Sequence, residues 1–529
     1  MTTTTNHLRT TDQLSRDALT VLQPGFEGTT APDWLLRQIA DGLGGVGLFG
    51  RNITTPEQLT ALNARLRAER DDLLVAIDEE SGDVTRLEVR GGSSFPGNYA
   101  LGTVDDTGLT RDVARELGRR LAVCGVDFNW APSADVNANP DNPVIGVRSF
   151  GADAALAARH TVAYVQGLQD SGVAACVKHF PGHGDTNVDS HHAMPRIDVG
   201  LDTLHARDLL PFREAIAAGT KAVMSAHILV PVLDADRPAT LSPRILTGLL
   251  REELGFDGLI VTDGLEMQAI TATYGLERGA VLAIAAGADA ICVGGGLADE
   301  ATVVALRDAL VTAVRDGDLP EERLADAAAR VRALADWARR AREAVAEPGA
   351  ETQEGTAPGI RSDGVDVGLV AARRAVAVTA GERPYEPVTE APYVASFAAE
   401  ANIAVGDETP WGVVGELTAL VPDTRGDAYT LQDAANAANA DGGTEKLVGE
   451  VLAAAADRRI VAVVRDVHRH PWMARALDAL VAARPETVVV EMGVNRSRPR
   501  GALHIATHGA ARVCGRAAAE VITGKGAGA

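Results

Sequence analysis

The 529-residue sequence predicts an α/β protein of two domains: a (β/α)8 TIM-type barrel followed by a smaller α/β domain. Three observations carry this expectation. Short apolar runs alternate with amphipathic stretches from about residue 20 to 295, and that alternation belongs to parallel sheets crossed by helices. About eight such units over roughly 300 residues is the arithmetic of an eightfold barrel. A stretch poor in apolar residues, E-P-G-A-E-T-Q-E-G-T-A-P-G over 347–359, then has linker composition. The expected division is therefore a catalytic barrel over 1–346, a linker over 347–365 and a second domain over 366–529.

Taken in order, strands are expected at 19–23, 46–49, 73–77, 126–131, 174–177, 222–225, 259–262 and 288–293. Helices are expected at 56–69, 108–123, 154–171, 202–218 and 243–253, and helices rich in Ala, Arg, Asp and Leu over 298–345 close the first domain. An open doubly wound sheet is the competing reading, but its first strand–helix turn lacks a Gly-rich dinucleotide fingerprint. Beyond the linker, strands are expected at 375–379, 393–397, 459–464 and 487–491, with helices at 445–456 and 473–483. The segment D-V-H-R-H-P-W over 466–472 is either a solvated loop or one that reaches a ligand.

Composition narrows the function. Fifty basic against 72 acidic side chains give a net charge of −22, which argues against nucleic acid or an anionic membrane as partner. No segment is long and apolar enough to span a bilayer, and residues 1–7 hold no apolar signal core. The four cysteines, Cys124, Cys176, Cys292 and Cys514, are far apart and fit neither a zinc knuckle nor a disulfide framework. A reducing cytoplasm is the resulting expectation.

A barrel predicts polar residues just after its strands, because active sites form at the C-terminal face. Asp78, Asp135 with Asn137, Lys178 with His179, His227 and Asp263 all follow expected strands. The richest stretch is K-H-F-P-G-H-G-D-T-N-V-D-S-H-H-A-M-P over 178–195, which holds four of the chain's 12 histidines. In an extended segment residues i and i+2 point the same way, so Asp189 can take a ring N–H of His191 and set its tautomer. Such a histidine gives and takes protons near neutrality. Taken alone, the pair reads equally as an ordinary loop contact. Asp263, a carboxylate directly after a buried strand, is a nucleophile candidate or a helix N-cap. A zinc site built from His179, His183, His191 and His192 with Asp185 and Asp189 is the rival use, but no helical ligand spacing is present.

These motifs resemble glycoside hydrolase family 3, and within it the bacterial β-N-acetylglucosaminidases. The resemblance rests on K-H-F-P-G-H-G over 178–184 with D-S-H over 189–191 and Pro195, on N-P-V-I-G-V-R-S-F-G over 142–151, and on A-T-L-S over 239–242. It covers nearly the whole chain, and it implies that the second domain is an αβα sandwich. It implies Asp263 as nucleophile, His191 as general acid/base and Asp189 as its partner. Asp78, Arg86, Arg148, Lys178 and His179 are implied as ligands of the innermost sugar, and His227 is grouped with them as substrate-binding; no metal is implied. The expected reaction is retaining, through a covalent glycosyl-enzyme. It would release terminal β-linked N-acetylglucosamine from muropeptide or chitin fragments.

Two departures mark this chain. Ser81 and Asp83 replace a glycine and an arginine of the family's D-x-E-G-G-R-V run, while Arg86 keeps its place. Gly264 follows Asp263 where many relatives have a second acid, so Asp263 alone is the nucleophile candidate. A phosphorylase taking inorganic phosphate is the alternative, since a histidine acid/base does not repel phosphate as a carboxylate would. A non-catalytic sugar-binding protein or a β-glucosidase of the same fold is the second alternative.

Overall fold

The computed structural model describes residues 13–188, 194–295, 299–346, 366–382, 384–398, 405–406, 408–433 and 443–525. The chain groups into two compact units, and the grouping is not a single cut. Residues 1–80, 110–145 and 151–354 form the first, while 81–109, 146–150 and 355–529 form the second. The expected linker 347–365 lies outside the described residues.

In the first unit a six-stranded parallel sheet runs in chain order. Its strands are β2 (Gly45–Leu48), β3 (Leu74–Ile77), β4 (Phe128–Asn129), β5 (Ala174–Phe180), β6 (Ala222–Ser225) and β7 (Leu259–Thr262). A second parallel pair joins β1 (Leu22–Pro24) to β8 (Ile291–Val293). Val261 bridges to Ala290, and the Thr262 amide donates to the Ala290 carbonyl at 3.0 Å, which ties this pair to β7.

Side chains alternate along a strand with a period of two, and the core follows that rule. Leu74 and Ala76 of β3, Ala174 and Cys176 of β5, Ala222 and Met224 of β6, and Leu259 and Val261 of β7 belong to one buried cluster. Phe128, Trp130, Ala290 and Cys292 join it, and Val331, Leu334, Ala335 and Ala338 of the helix Glu321–Ala346 pack against them. Each fully buried Leu or Val contributes about 1.5–3 kcal/mol. Gly47 leaves room for the Trp130 ring, because a Cβ there would lie 2.7 Å from it.

Strand boundaries differ from expectation: β4 covers only Phe128–Asn129 of 126–131 and β8 only Ile291–Val293 of 288–293, and two further differences have a visible cause. The first strand was expected at 19–23, but a helix runs to Thr20, with Leu14, Ala18 and Leu19 on its buried side, and β1 starts only at Leu22. The fifth was expected to stop at Val177, yet it continues to Phe180. Lys178 N donates to Pro132 O, Ala134 N to Lys178 O and Ala226 N to Phe180 O, so both neighbouring strands extend the pairing.

The second unit holds a six-stranded sheet of order β11-β10-β12-β13-β14-β9, parallel except for β9. The strands are β9 (Ala377–Ala380), β10 (Tyr393–Ala398), β11 (Arg425–Thr430), β12 (Ile460–Val464), β13 (Val488–Glu491) and β14 (Leu503–Ala506). Alternation again sorts the faces. Val461, Val463, Val488 and Val490 meet the helices Val367–Ala375, Val414–Leu420 and Arg512–Thr523. Ala462, Val464 and Val489 meet the helices Gly443–Ala455 and Pro471–Ala483. Strands β11 and β14 were not anticipated. The first is a polar edge strand with one neighbour, R-G-D-A-Y-T, and the second is only four residues, L-H-I-A. Residue 375, expected in a strand, ends a helix. No helix of the described residues is long and apolar enough to cross a membrane.

Ahead of β4, Asp127 is buried between Arg67, at 2.6 Å, and Arg342, and it also accepts the Val75 amide at 2.9 Å. Removing one partner of a buried ion pair strands the others. Asp127→Ala is therefore expected to destabilise the first unit by about 3–5 kcal/mol, read as a lowered urea midpoint.

Candidate active site

Asp78 follows β3, Lys178 lies on β5 and Asp263 follows β7, each two residues past a member of the first unit's buried cluster. The same pleat that buries Leu74, Ala76, Ala174, Cys176, Leu259 and Val261 thus aims these three groups to one side at the strands' C-terminal ends. Lys178 is 2% exposed and pairs with both Asp78 and Glu80, the latter at 2.7 Å. A buried ammonium needs such partners. Glu80 was missed from the sequence, although its i+2 spacing from Asp78 places both carboxylates on one side. The Cys292 thiol, buried on the same inward face, registers the gathered charge. Burial first, then the charges of Glu266, Asp263 and Asp78, push its pKa well above the ordinary thiol value against Lys178.

His179 sits beside this pair. Its Nδ1 lies 2.7 Å from Asp135, and its backbone amide donates to the same carboxylate at 3.2 Å. A carboxylate only accepts, so Nδ1 carries a proton toward Asp135. The His183 amide also donates to Asp135, at 2.7 Å. Burial works to raise the Asp135 pKa, but the His179 ring and these bonds outweigh it and hold the carboxyl at about 2. Asp135 thus anchors both histidines of K-H-F-P-G-H-G, a role that strand-end position alone did not reveal.

The loop beyond is pinned as far as residue 188. Gly184 has no room for a side chain, since a Cβ would run into the Val136 carbonyl. Arg207 holds Asp185 at 2.9 Å and Asp208 at 3.0 Å, and burial pushes Asp208 up to about 6 in spite of Arg207. Asp189, His191 and His192 lie outside the described residues.

Asp263 follows β7. Its amide donates to Ser225 O at 3.1 Å, and its Oδ1 accepts the Gly264 amide at 2.8 Å. Glu266 was also not anticipated: it accepts the amides of Gly294, at 3.0 Å, and Gly295. His227, expected among the sugar ligands, is 1% exposed, with Nδ1 2.8 Å from Thr240 Oγ1 and Nε2 3.0 Å from Gly264 O.

Arg86 and Arg148 belong to the second unit. Arg148 is buried there, and its carbonyl accepts Asn98 Nδ2 at 2.7 Å. Asp83, which replaces the arginine of the family pattern, pairs within that unit with Arg465 at 2.5 Å and accepts the Ala510 amide at 2.7 Å. In the 466–472 segment, Asp466 Oδ1 accepts the Val494 amide at 2.7 Å and Val467–Arg469 forms a single tight turn.

A lysine between carboxylates, an anchored histidine and Asp263 thus stand at the C-terminal ends of parallel strands. Residues 25–334, more than half of the chain, match the glycosyl hydrolase family 3 N terminal domain, and the chain belongs to that family. It is 35% identical over 332 residues to beta-hexosaminidase A of Pseudoalteromonas piscicida, a match covering 58% of this chain and 55% of that enzyme. The chain therefore spans little more than half of that relative's length. It is 39% identical over 258 residues to a beta-hexosaminidase of Chromobacterium violaceum, covering 47% of this chain and 71% of that one. The fold matches a glycoside hydrolase family 3 beta-N-acetylglucosaminidase from Paenibacillus sp. str. FPU-7 with a TM-score of 0.82 at 34% identity, covering 97% of both chains.

His183 supplies a pH test. Burial first, then the neighbouring His179, lowers its pKa from 6.5 to about 4. Between these values the unfolded chain binds a proton that the folded chain refuses, so stability falls as pH drops through that window. His183→Gln is expected to flatten the slope by on the order of 3 kcal/mol, measured as urea unfolding at pH 4 and pH 7.

Proposed function

We propose that the chain is a retaining, exo-acting β-N-acetylglucosaminidase that removes terminal β-linked N-acetylglucosamine from muropeptide or chitin-type fragments. The observation that carries this reading is that Asp263 directly follows β7 as Asp78 directly follows β3, where Asp78 pairs with Lys178 of β5. Asp263 attacks the anomeric carbon while His191, oriented by Asp189, protonates the departing oxygen. In the second step His191 takes a proton from water, which attacks the anomeric carbon and releases the sugar with its configuration retained. Asp78, Arg86, Arg148, Lys178 and His179 bind the sugar's polar groups, with contacts that tighten as positive charge develops at the ring. No cofactor enters either step.

The same reading takes the six-stranded sheet with the β1–β8 pair as one (β/α)8 barrel, supported by the Val261–Ala290 bridge. It takes the second unit as an αβα sandwich, and residues 1–346 and 366–529 as the two covalent domains about the 347–365 linker. A cytoplasmic location agrees with four cysteines that are all buried and unpaired.

With an aryl β-N-acetylglucosaminide, Asp263→Ala is expected to lower kcat at least about 1000-fold; turnover at the wild-type rate would remove Asp263 from the mechanism. Proton NMR of the first product should show the β-anomer, and the α-anomer would overturn retention. His191→Ala should slow deglycosylation even with an activated leaving group. The same assay at saturating phosphate is expected to yield free sugar; a sugar 1-phosphate as main product would replace hydrolysis by phosphorolysis.

A further inference from the structure

His227 lies among the inward strand ends, yet its ring is turned toward protein. Gly264 O can only accept, so Nε2 of His227 must be the donor at 3.0 Å. Its Nδ1 lies 2.8 Å from Thr240 Oγ1, whose single hydroxyl proton is donated to Ala226 O at 2.9 Å. Ser225 Oγ stands 2.9 Å behind Thr240 Oγ1 and donates in turn. All three side chains are buried, at 0–1% exposure. Ala226 O, by accepting from Thr240, holds that hydroxyl at the end of β6.

The far end of this chain of bonds is the peptide that follows Asp263. Gly264 is held twice, its carbonyl by His227 and its amide by Asp263 Oδ1 at 2.8 Å. Its carbonyl also accepts the Met267 amide at 3.1 Å, and the Asp263 amide is fixed by Ser225 O. The turn that sets the Asp263 side chain is therefore clamped from β6 and from the A-T-L-S segment. A glycine at 264, with no side chain to restrict its own torsions, relies on such outside bonds more than any other residue would.

We infer that His227 is a positioning residue: through Ser225, Thr240 and the Gly264 carbonyl it holds Asp263 at the angle of attack, rather than binding a sugar hydroxyl. The inference rests on the reading of Asp263 as nucleophile. Misplacement of a reacting group by about 1 Å lowers a rate roughly 100-fold without weakening ground-state binding.

The test uses the full chain and an aryl β-N-acetylglucosaminide, with inhibition by free N-acetylglucosamine as a separate measure of sugar binding. His227→Ala should lower kcat roughly 10- to 100-fold and leave the inhibition constant within about threefold. His227→Gln carries an amide donor as many bonds from Cα as Nε2 and should recover most of the loss. Thr240→Val, which removes only the relay hydroxyl, should lower kcat in the same direction by a smaller factor. An inhibition constant that rises in step with the loss of kcat would make His227 a sugar ligand and overturn the inference, as would wild-type kcat in His227→Ala. If His227→Ala fails to fold, wild-type kcat in both His227→Gln and Thr240→Val overturns the relay, and a reduced kcat in Thr240→Val supports it. An inactive Asp263→Ala beside a fully active His227→Ala would sink this inference alone, whereas an active Asp263→Ala would sink the nucleophile reading itself.

Discussion

Lys178 is the constraint on which the site depends. Its ammonium is nearly fully buried and must be met by carboxylates. Asp78 and Glu80 meet it, and they come from a different strand, so the pairing fixes the register of functional groups across the strand ends. Beneath the pair the inward face is apolar, with Ala76 and Cys176 in the layer below. That layer excludes water and strengthens every charge interaction above it.

A second set of bonds acts at the edge of that arrangement. Asp135 joins the His179 ring to the His183 backbone, so a histidine that presents one nitrogen and a loop that must turn sharply share one anchor. Gly184 then tucks against Val136, and Arg207 captures Asp185. These are polar contacts between segments far apart in the chain. They convert a flexible sequence of Pro, Gly and His into a fixed path up to residue 188. Asp83 shows the same logic in the second unit, where the acid that departs from the family pattern meets Arg465.

Much of the fold was legible because its signals are local. Apolar runs such as 174–177 and 259–262 could only be buried strands, and the polar residues just past them could only lie at strand ends. Strand β11 was not legible, since R-G-D-A-Y-T is an edge strand whose partner, not its composition, makes it extended. The first strand was misplaced because residues 13–20 carry a helix whose buried side ends in the same apolar letters. In the site, Asp78, Lys178 and Asp263 could be named from position and motif. Glu80, Asp135 and Glu266 could not, because each acts on a partner tens of residues away, nor could Thr240, which acts on His227 across 13 positions.

By itself the sequence determined the chemistry available here: a lysine, a set of histidines and carboxylates at the ends of alternating apolar segments. It determined which faces are apolar, since alternation is written residue by residue. Only the tertiary structure decided what each polar group touches. His227 illustrates the difference. Its place after a strand made it one more candidate for the sugar, and the folded chain turned both its nitrogens to Thr240 and Gly264. A hydrogen bond between residues 37 positions apart is set by how two strands are packed side by side, and no local pattern encodes it.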